Sequence, residues 1–189
     1  MSDLLFSNID TVSSMIKEKE ISPVELLKET TDQIKRYDPT LRAFITVMQE
    51  EAKEEARQAE RDIQQDIYKG PLHGIPIAVK DMLQTKGVRT TGGSKIFENW
   101  VPDEDAIPVQ KLKQAGAIII GKANLHEFAM GATTENPHFG NAKNPWDSSK
   151  IPGGSSGGSA IATATGMAFG ALGTDTAGSI RLPAAICGT

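Results

Sequence analysis

The amino-acid sequence predicts an α/β fold in which helices cover both faces of a β-sheet. Two nearly uninterrupted apolar runs, at residues 75–79 and 117–120, alternate with segments whose apolar residues follow a helical period. Apolar runs of this kind are typical of strands buried on both faces. The chain has 189 residues, of which 39% are hydrophobic and 23% charged, so it is long and apolar enough to bury a core.

The front of the chain is predicted to be a charged helical layer. Ser22 and Pro23 are an N-cap and a first-turn proline, which together open a helix. Residues 1–69 contain no glycine and carry 15 acidic against 10 basic residues, which is typical of solvated helices without a chemical role. The elements predicted here are helices over residues 11–19, 22–37 and 52–67, and a strand over residues 43–48.

The back of the chain is predicted to build the sheet and to hold a site. Residues 121–189 contain 12 of the 18 glycines, and residues 151–189 carry only two charged side chains, Asp175 and Arg181. Because this stretch also has large apolar side chains, which a flexible Gly/Ser linker would lack, we expect it to fold tightly around a site. The predicted elements are strands over residues 75–79, 117–120 and 168–172, and helices over residues 105–114, 159–166 and 181–186.

Charge and cysteine content exclude several classes of protein. A net charge of −4 predicts no basic surface for nucleic acid or for an anionic membrane. The single cysteine, Cys187, cannot form an internal disulfide, and the N-terminus lacks the pattern of a signal peptide. The longest uncharged stretches are broken by glycine and serine, unlike a membrane span. We therefore expect a soluble, cytoplasmic protein.

Residues 153–159, with the sequence Gly-Gly-Ser-Ser-Gly-Gly-Ser, are the first candidate site. A phosphate-binding loop is excluded because no lysine follows at the required place. A nucleophile elbow centred on Ser155 or Ser156 would have to follow a strand and precede a histidine, yet no histidine lies after His138. The remaining interpretation is a loop whose glycines let backbone amides and a serine hydroxyl approach a substrate closely.

Residues 173–181, with the sequence Gly-Thr-Asp-Thr-Ala-Gly-Ser-Ile-Arg, are predicted to form a strand, a tight turn and the start of a helix. Backbone N–H groups on such a turn can bind a developing oxyanion, and Ser179 at its end can act as a nucleophile. Taken alone the motif is weak, because strand–turn–helix junctions with glycine and serine are common.

A nucleophilic serine needs a base, and the sequence offers a lysine rather than a histidine. His73, His126 and His138 lie in contexts typical of structural or solvated histidines. Lys80 ends a predicted buried strand, where desolvation can lower the lysine pKa from about 10.4 into the range of a general base. The alternative is that Lys80 extends to solvent and pairs with Asp81.

Taken together, these motifs resemble the amidase signature family, and the likeness runs from about Ser22 to the end of the chain. The resemblance implies an α/β/α sandwich with a mixed sheet covered by helices. Residues 1–69 would be its N-terminal helical layer and residues 70–189 the first part of its catalytic core. Since family members are well over twice as long, we expect the chain to be a fragment holding one incomplete domain. The segments that match are residues 74–81, 136–140, 144–146, 153–159 and 173–181.

The resemblance also implies a role for particular residues. Lys80 would be the general base and Ser179 the nucleophile, with Ser155 held in a cis peptide as the bridging serine between them. Ala129 and Ser155 would contact the substrate, and no metal or organic cofactor is implied. The oxyanion hole would be formed by the backbone amides of Thr176, Ala177, Gly178 and Ser179.

The implied activity is hydrolysis of the C–N bond of a small-molecule amide through an acyl-enzyme. One alternative is the glutaminase (A) subunit of a glutamyl-tRNA(Gln) amidotransferase, which would act with partner subunits, and another is a catalytically silent fragment. Leu182 stands where many such A subunits have glutamine, and residues 124–129 look nearer to stand-alone amidases, so hydrolysis is the first choice. Ala177 stands where the family usually has glycine, and it would strain the turn if that position requires a positive φ.

The expected truncation has consequences for folding. Without the remaining layers of the family's fold, apolar surface would be exposed and the chain would associate. Water reaching Lys80 would keep it protonated, so that the 189-residue chain would be marginally folded and inactive. The residues expected at this exposed surface are Ile118, Ile119, Ile120, Phe169 and Leu172.

Overall fold

The computed structural model describes residues 4–189, which form six α-helices, four strands and three short 3-10 helices. The helices are α1 (Ile9–Lys17), α2 (Pro23–Leu41), α3 (Gln49–Gln64), α4 (Ile107–Gln114), α5 (Gly157–Ala164) and α6 (Arg181–Cys187), and the strands are β1 (Phe44–Val47), β2 (Pro76–Lys80), β3 (Ile118–Ala123) and β4 (Gly170–Leu172). Each predicted helix and strand is present, with ends that differ by a few residues. None of the helices formed by residues 4–189 is long and apolar enough to cross a membrane.

The four strands form one mixed sheet in the order β1-β3-β2-β4. Strand β2 runs parallel to both β3 and β4, whereas β1 runs antiparallel to β3. The two inner strands, β2 and β3, are buried at every position, as their continuous apolar runs predict. The prediction of an α/β fold with a mixed, helix-covered sheet is therefore confirmed.

Helix α2 continues further than the sequence predicts. It opens at Ser22, whose capping box with Glu25 satisfies backbone groups at both ends of the first turn. The sequence predicts an end near residue 37, but the helix includes Pro39 and ends at Leu41. In the structure the side chain of Asp38 accepts hydrogen bonds from the backbone N–H groups of Ala43 and Phe44, which ties the end of the helix to the start of β1.

The N-terminal helices and the sheet share one hydrophobic core. Its largest cluster joins Leu27 and Ile34 of α2 with Ala56 of α3, and these pack with Ile118 of β3 and Ile161 of α5. The front of the chain also supplies β1 at one edge of the sheet. The helical layer is thus continuous with the strands that carry the candidate site.

The expectation of an exposed apolar surface on β3 is wrong. The exposed fractions of Ile118, Ile119 and Ile120 are 1%, 0% and 2%. Successive side chains point to opposite faces, where Ile118 and Ile120 join one buried cluster and Ile119 joins another. Helices within this chain therefore cover both faces of β3. Phe169 and Leu172, which belong to the strand segment at the sheet edge, are partly buried.

Candidate active site

The candidate site lies at the carboxyl ends of two neighbouring parallel strands. Lys80 is the last residue of β2, and Thr174 lies just beyond the end of β4, which pairs with β2 in parallel register. Parallel strands end at the same edge of a sheet, and ligands of open α/β sheets bind at such an edge. The turn that carries Ser179 follows directly from β4.

Three hydroxyl groups surround the amine of Lys80. Its Nζ lies 2.7 Å from Ser155 Oγ, 2.8 Å from Ser156 Oγ and 2.9 Å from Thr174 Oγ1. The exposed fraction of Lys80 is 0%, so the expectation that water would reach this side chain is wrong. Burial lowers the pKa of Lys80 from its ordinary value of 10.5 to about 8, while the charge of Asp175 acts in the opposite direction. A buried lysine with a pKa in this range can take up a proton near neutral pH.

The alternative pairing of Lys80 with Asp81 is also wrong. Asp81 is buried and lies beside Lys122 of β3, with 3.7 Å between its Oδ1 and Lys122 Nζ. Lys122 donates hydrogen bonds to the backbone carbonyl of Leu83 and to two threonine hydroxyls. Burial lowers the pKa of Lys122 to about 8 and raises the pKa of Asp81. This second buried lysine, which was not predicted from the sequence, is therefore separate from the hydroxyl shell of Lys80.

Hydrogen bonds and close packing hold the loop at residues 153–159. The Thr134 hydroxyl donates to the carbonyl of Gly153 at 2.7 Å and accepts from the N–H of Gly157 at 3.1 Å. At the start of α5, a Cβ on Gly158 would clash with the carbonyl oxygen of Ala43. Glycine at this position therefore allows α5 to approach the chain next to β1, and this brings the loop against the end of β2.

Ser155 is buried within this loop and follows a cis peptide bond, as the family resemblance implies. Its hydroxyl contacts Lys80, and its backbone carbonyl accepts a hydrogen bond from the N–H of His126 at 3.1 Å. The loop is thereby connected to the segment that follows β3.

Asp175 organises the turn that leads to Ser179. Its carboxylate accepts hydrogen bonds from the backbone N–H groups of Gly178, Ile180 and Arg181 at 2.7, 3.1 and 3.1 Å. The guanidinium of Arg181 donates two further hydrogen bonds, each of 3.0 Å. These hydrogen bonds hold the pKa of Asp175 well below its usual range, and the Arg181 guanidinium has a larger effect than the backbone donors.

The position of this turn whose backbone conformation favours glycine is Gly178 rather than Ala177. Gly178 has a φ of 111°, a conformation that favours glycine, whereas Ala177 is absent from the non-glycine residues with positive φ in the described chain. Alanine would strain the turn only if φ were positive at position 177, and it is not, so Ala177 is accommodated without strain.

Ser179 is placed beside the loop by its backbone. Its carbonyl accepts a hydrogen bond from the N–H of Ser156 at 3.1 Å, and its side chain is partly buried. Within residues 4–189 no hydrogen bond joins the Ser179 hydroxyl to Ser155 or to any other group. The structure thus brings Lys80, Ser155 and Ser156 into contact and places Ser179 next to them without that final hydrogen bond.

The four amides of the predicted oxyanion hole differ in availability. The N–H of Gly178 is engaged by Asp175. Within the described chain, the N–H groups of Thr176, Ala177 and Ser179 have no intramolecular acceptor. These three groups are therefore the donors available for a substrate oxygen.

Ala129 lies in a short 3-10 helix, Glu127–Ala129, and both it and Phe128 have positive φ, of 59° and 51°. Its N–H donates to the carbonyl of His126, the same residue whose N–H contacts Ser155. Ala129 therefore lies on the segment beside the loop, and its contact with a substrate stays a prediction.

The three histidines are engaged elsewhere among the described residues. His73 is buried, with its Nε2 3.7 Å from Asp62. The ring of His126 contacts the hydroxyl of Thr133, and that of His138 contacts Glu127. None of the described hydrogen bonds joins a histidine ring to the serines of the site, whereas the amine of Lys80 contacts two of those serines.

Two hydroxyl ligands of Lys80 were not predicted as site residues. Ser156 follows Ser155 directly, and Thr174 precedes Asp175 just after β4. Once β4 is known to be the parallel neighbour of β2, residues just after both strands are expected to meet. Periodicity does not reveal the strand order on which this inference depends.

Comparison with known proteins shows the family and several relatives of this chain. The family described as Amidase matches residues 25–189. The A subunit of the glutamyl-tRNA(Gln) amidotransferase of Carboxydothermus hydrogenoformans is 50% identical over 186 residues, which are 98% of this chain and 38% of the relative. The chain therefore spans well under half the length of the curated relatives it matches.

Solved structures show the same fold. The native peptide amidase from Stenotrophomonas maltophilia superimposes with a TM-score of 0.91 at 35% identity, over 96% of this chain and 38% of that one. The A subunit of the glutamyl-tRNA(Gln) amidotransferase of Thermotoga maritima superimposes with a TM-score of 0.79 at 40% identity, over 96% of this chain and 36% of that one.

Proposed function

Because the chain belongs to the Amidase family, we propose that it contributes the catalytic residues for cleaving the C–N bond of an amide through an acyl-enzyme on Ser179. The observation that carries this proposal is the environment of Lys80. Its amine is buried, contacts the Ser155 hydroxyl at 2.7 Å, and has its pKa lowered to about 8 by burial. A base of that strength, one hydroxyl away from a nucleophile, suits proton transfer near neutral pH.

Acylation begins when Ser179 Oγ attacks the carbonyl carbon of the amide. The proton of Ser179 passes to Ser155 Oγ while the proton of Ser155 passes to the neutral amine of Lys80. The negative charge that develops on the carbonyl oxygen is stabilised by the free N–H groups of Thr176, Ala177 and Ser179. Removal of one such donor typically costs about 3–4 kcal/mol of transition-state stabilisation.

Collapse of the tetrahedral intermediate breaks the C–N bond. The proton held by Lys80 returns through Ser155 to the leaving nitrogen, which departs as ammonia or an amine. Water then attacks the Ser179 ester by the same relay, releasing a carboxylic acid and restoring the serine hydroxyl. Every proton is returned, and the scheme uses only protein groups and water.

The curated relatives favour glutamine as the amide. Proteins named as A subunits of glutamyl-tRNA(Gln) amidotransferases are 50% and 46% identical to this chain over nearly all of its length. We therefore place the amidotransferase alternative first, in which ammonia released from glutamine passes to partner subunits. Stand-alone hydrolysis of a small amide is the second candidate, favoured by the structural match to a peptide amidase and by Leu182.

The first experiment tests the nucleophile and the base. The purified chain is treated with a fluorophosphonate, which labels activated serines, and the labelled residue is identified by mass spectrometry. We expect stoichiometric labelling at Ser179, abolished by Ser179→Ala and nearly abolished by Lys80→Met and Ser155→Ala. The exposed residues Ser148 and Lys150 supply matched controls, Ser148→Ala and Lys150→Met. Wild-type labelling by Lys80→Met would overturn the assignment of the base.

A second experiment separates the two candidate activities. Release of ammonia from glutamine is compared with release from small aliphatic and peptide amides. Formation of glutaminyl-tRNA from glutamyl-tRNA(Gln) is then measured after adding the partner subunits of the Carboxydothermus hydrogenoformans enzyme. Amidation of the tRNA supports the amidotransferase assignment, whereas turnover of other amides without amidation supports the hydrolase. The absence of both, together with absence of Ser179 labelling, would identify a catalytically silent chain.

A further inference from the structure

The hydroxyl groups around Lys80 differ in where their own protons go. A neutral lysine amine has two N–H bonds and one lone pair. The lone pair can only accept a hydrogen bond, so it must face a hydroxyl group whose proton is free to be donated to Lys80. The direction in which each hydroxyl donates its proton therefore determines where the lone pair of Lys80 points. The hydrogen bonds of Ser155, Ser156 and Thr174 fix these directions.

The Ser156 hydroxyl is committed to the backbone of Thr174. Its Oγ lies 3.3 Å from the Thr174 carbonyl, to which it donates, and 3.3 Å from the Thr174 N–H, from which it accepts. With its proton engaged in this way, Ser156 Oγ can only accept a hydrogen bond from Lys80 Nζ at 2.8 Å.

The Thr174 hydroxyl is committed to the sulfur of Met82. Its Oγ1 donates to Met82 Sδ at 3.3 Å and accepts from Lys80 Nζ at 2.9 Å. A thioether sulfur has no proton to give, so it can only accept, although weakly. Thr174 is therefore a second acceptor for Lys80, provided that Met82 keeps the hydroxyl proton turned away from the amine.

Ser155 is the partner that remains. Lys80 Nζ is the single hydrogen-bond partner of the Ser155 hydroxyl within residues 4–189. When Lys80 is neutral, its two N–H bonds go to Ser156 and Thr174, and its lone pair is left facing Ser155. That is the direction in which the proton must travel during acylation.

We propose that Thr174 and Met82 are positioning residues, which act together to aim the lone pair of Lys80 at Ser155. The inference rests on the proposed function, since it assigns a purpose to the orientation of the proposed base. Neither residue touches the substrate in this scheme, because both act through Lys80. Met82 lies two residues after Lys80 in the chain, so one short segment at the end of β2 supplies both the proposed base and the sulfur that orients the Thr174 hydroxyl.

Two substitutions disrupt this orientation of the Lys80 lone pair in different ways. Thr174→Val keeps the side-chain shape but removes the acceptor, so that one N–H of neutral Lys80 turns to Ser155 and the lone pair faces the valine. Met82→Leu keeps a similar volume but removes the sulfur, so that the Thr174 hydroxyl can donate to the lone pair in competition with Ser155. Thr174→Val removes an acceptor for the N–H bonds of the Lys80 ammonium and so destabilises the charged form. Met82→Leu allows the Thr174 hydroxyl to donate to the lone pair and so stabilises the neutral form. Both substitutions are therefore expected to lower the pKa of Lys80.

The test measures the rate of fluorophosphonate labelling at Ser179 between pH 6 and pH 10. We expect the plateau rate to fall by about 10- to 100-fold in Thr174→Val and by a smaller factor in Met82→Leu, which is part of the roughly 100- to 10,000-fold contribution attributed to general-base catalysis. In both variants the midpoint should move to lower pH, which a merely structural defect would not cause. Thr174→Ser should restore the rate, and Met15→Leu in α1 is the matched methionine control.

Plateau rates within twofold of wild type in both variants would overturn the inference and leave the proposed function intact. Failure of the wild-type chain to label at Ser179 would overturn the proposed function instead. In that case the 13Cε chemical shift of Lys80 is titrated, and an unchanged midpoint in Thr174→Val and Met82→Leu rejects the inference independently. A lower midpoint in both variants supports it.

Discussion

Lys80 and Thr174 are separated by 94 positions in the chain, yet a 2.9 Å hydrogen bond joins Lys80 Nζ to Thr174 Oγ1. The contact between the two residues follows from one structural fact, which is that β2 and β4 are parallel neighbours and end at the same edge of the sheet. The hydrogen bond closes a shell of three hydroxyl groups around the buried amine of Lys80, whose pKa burial lowers to about 8. The reactivity of the site should therefore depend on pH, on the turn after β4 and on the packing beneath both strands.

The labelling rate of Ser179 is predicted to rise with pH. Neutral Lys80 is the form that accepts a proton, and its pKa of about 8 sets the midpoint of the increase. The rate should be low at pH 6, reach half its plateau near pH 8 and level off by pH 10. In Lys80→Met the residual rate should lose this midpoint. A profile centred below pH 7, as for a histidine base, would contradict the assignment.

Asp175→Asn is predicted to loosen the turn that holds Ser179. The carboxylate binds three backbone N–H groups and Arg181, and these partners hold its pKa well below the ordinary value of 3.8. Its stabilisation is therefore complete above that value and declines as the pH falls further. Thermal unfolding should show a lower Tm for Asp175→Asn at pH 6, and the difference from wild type should narrow toward pH 2. A difference that stays constant over this range would argue against the ionised turn.

Gly178→Ala and Ala177→Gly are predicted to act differently. Gly178 has a φ of 111°, so alanine there should cost about 1–3 kcal/mol and slow the labelling of Ser179. No atom lies within 4 Å of a Cβ built on Gly178, so the cost is conformational and not a clash. Ala177→Gly should lower stability by about 0.4–1 kcal/mol, because it adds freedom to the unfolded chain. Chemical denaturation measures both, and a stabilised Ala177→Gly would show that this position needs glycine after all.

Lys122→Met is predicted to destabilise the fold strongly. It would leave the buried Asp81 carboxylate without the amine that lies 3.7 Å from its Oδ1, an atom that has no hydrogen-bond partner in the described chain. Removing one member of a buried pair typically costs about 3–5 kcal/mol. The matched control is Lys19→Met, which removes an exposed ion pair to Asp66 and should change stability little. Equal effects of the two substitutions in urea unfolding would refute the importance of the buried pair.

The order of the helices and strands could be predicted because it depends on local patterns. The alternation of apolar runs and helical periods placed every α-helix and strand, and the Ser22 cap placed the start of α2. Local patterns also indicated that Lys80 ends a buried strand, and the family resemblance implied Ser155 as its partner, but neither indicated Ser156 or Thr174. Local patterns did not reveal where helix α2 ends, because the role of Asp38 depends on the path of the chain into β1.

Local sequence motifs mark Lys80, Ser155 and Ser179 as candidate site residues, whereas only the tertiary structure shows that the Lys80 amine meets Ser155, Ser156 and Thr174. Local periodicity reports whether a side chain is buried, but not what lies opposite it, because that depends on pairing between distant strands. Asp81 follows Lys80 directly and was a natural partner for it, yet successive side chains leave opposite faces of a strand, so Asp81 lies beside Lys122. The same geometry places Lys80 on the face where Ser155, Ser156 and Thr174 converge, which is why the hydrogen-bond partners of its amine are hydroxyl groups and not the carboxylate of Asp81.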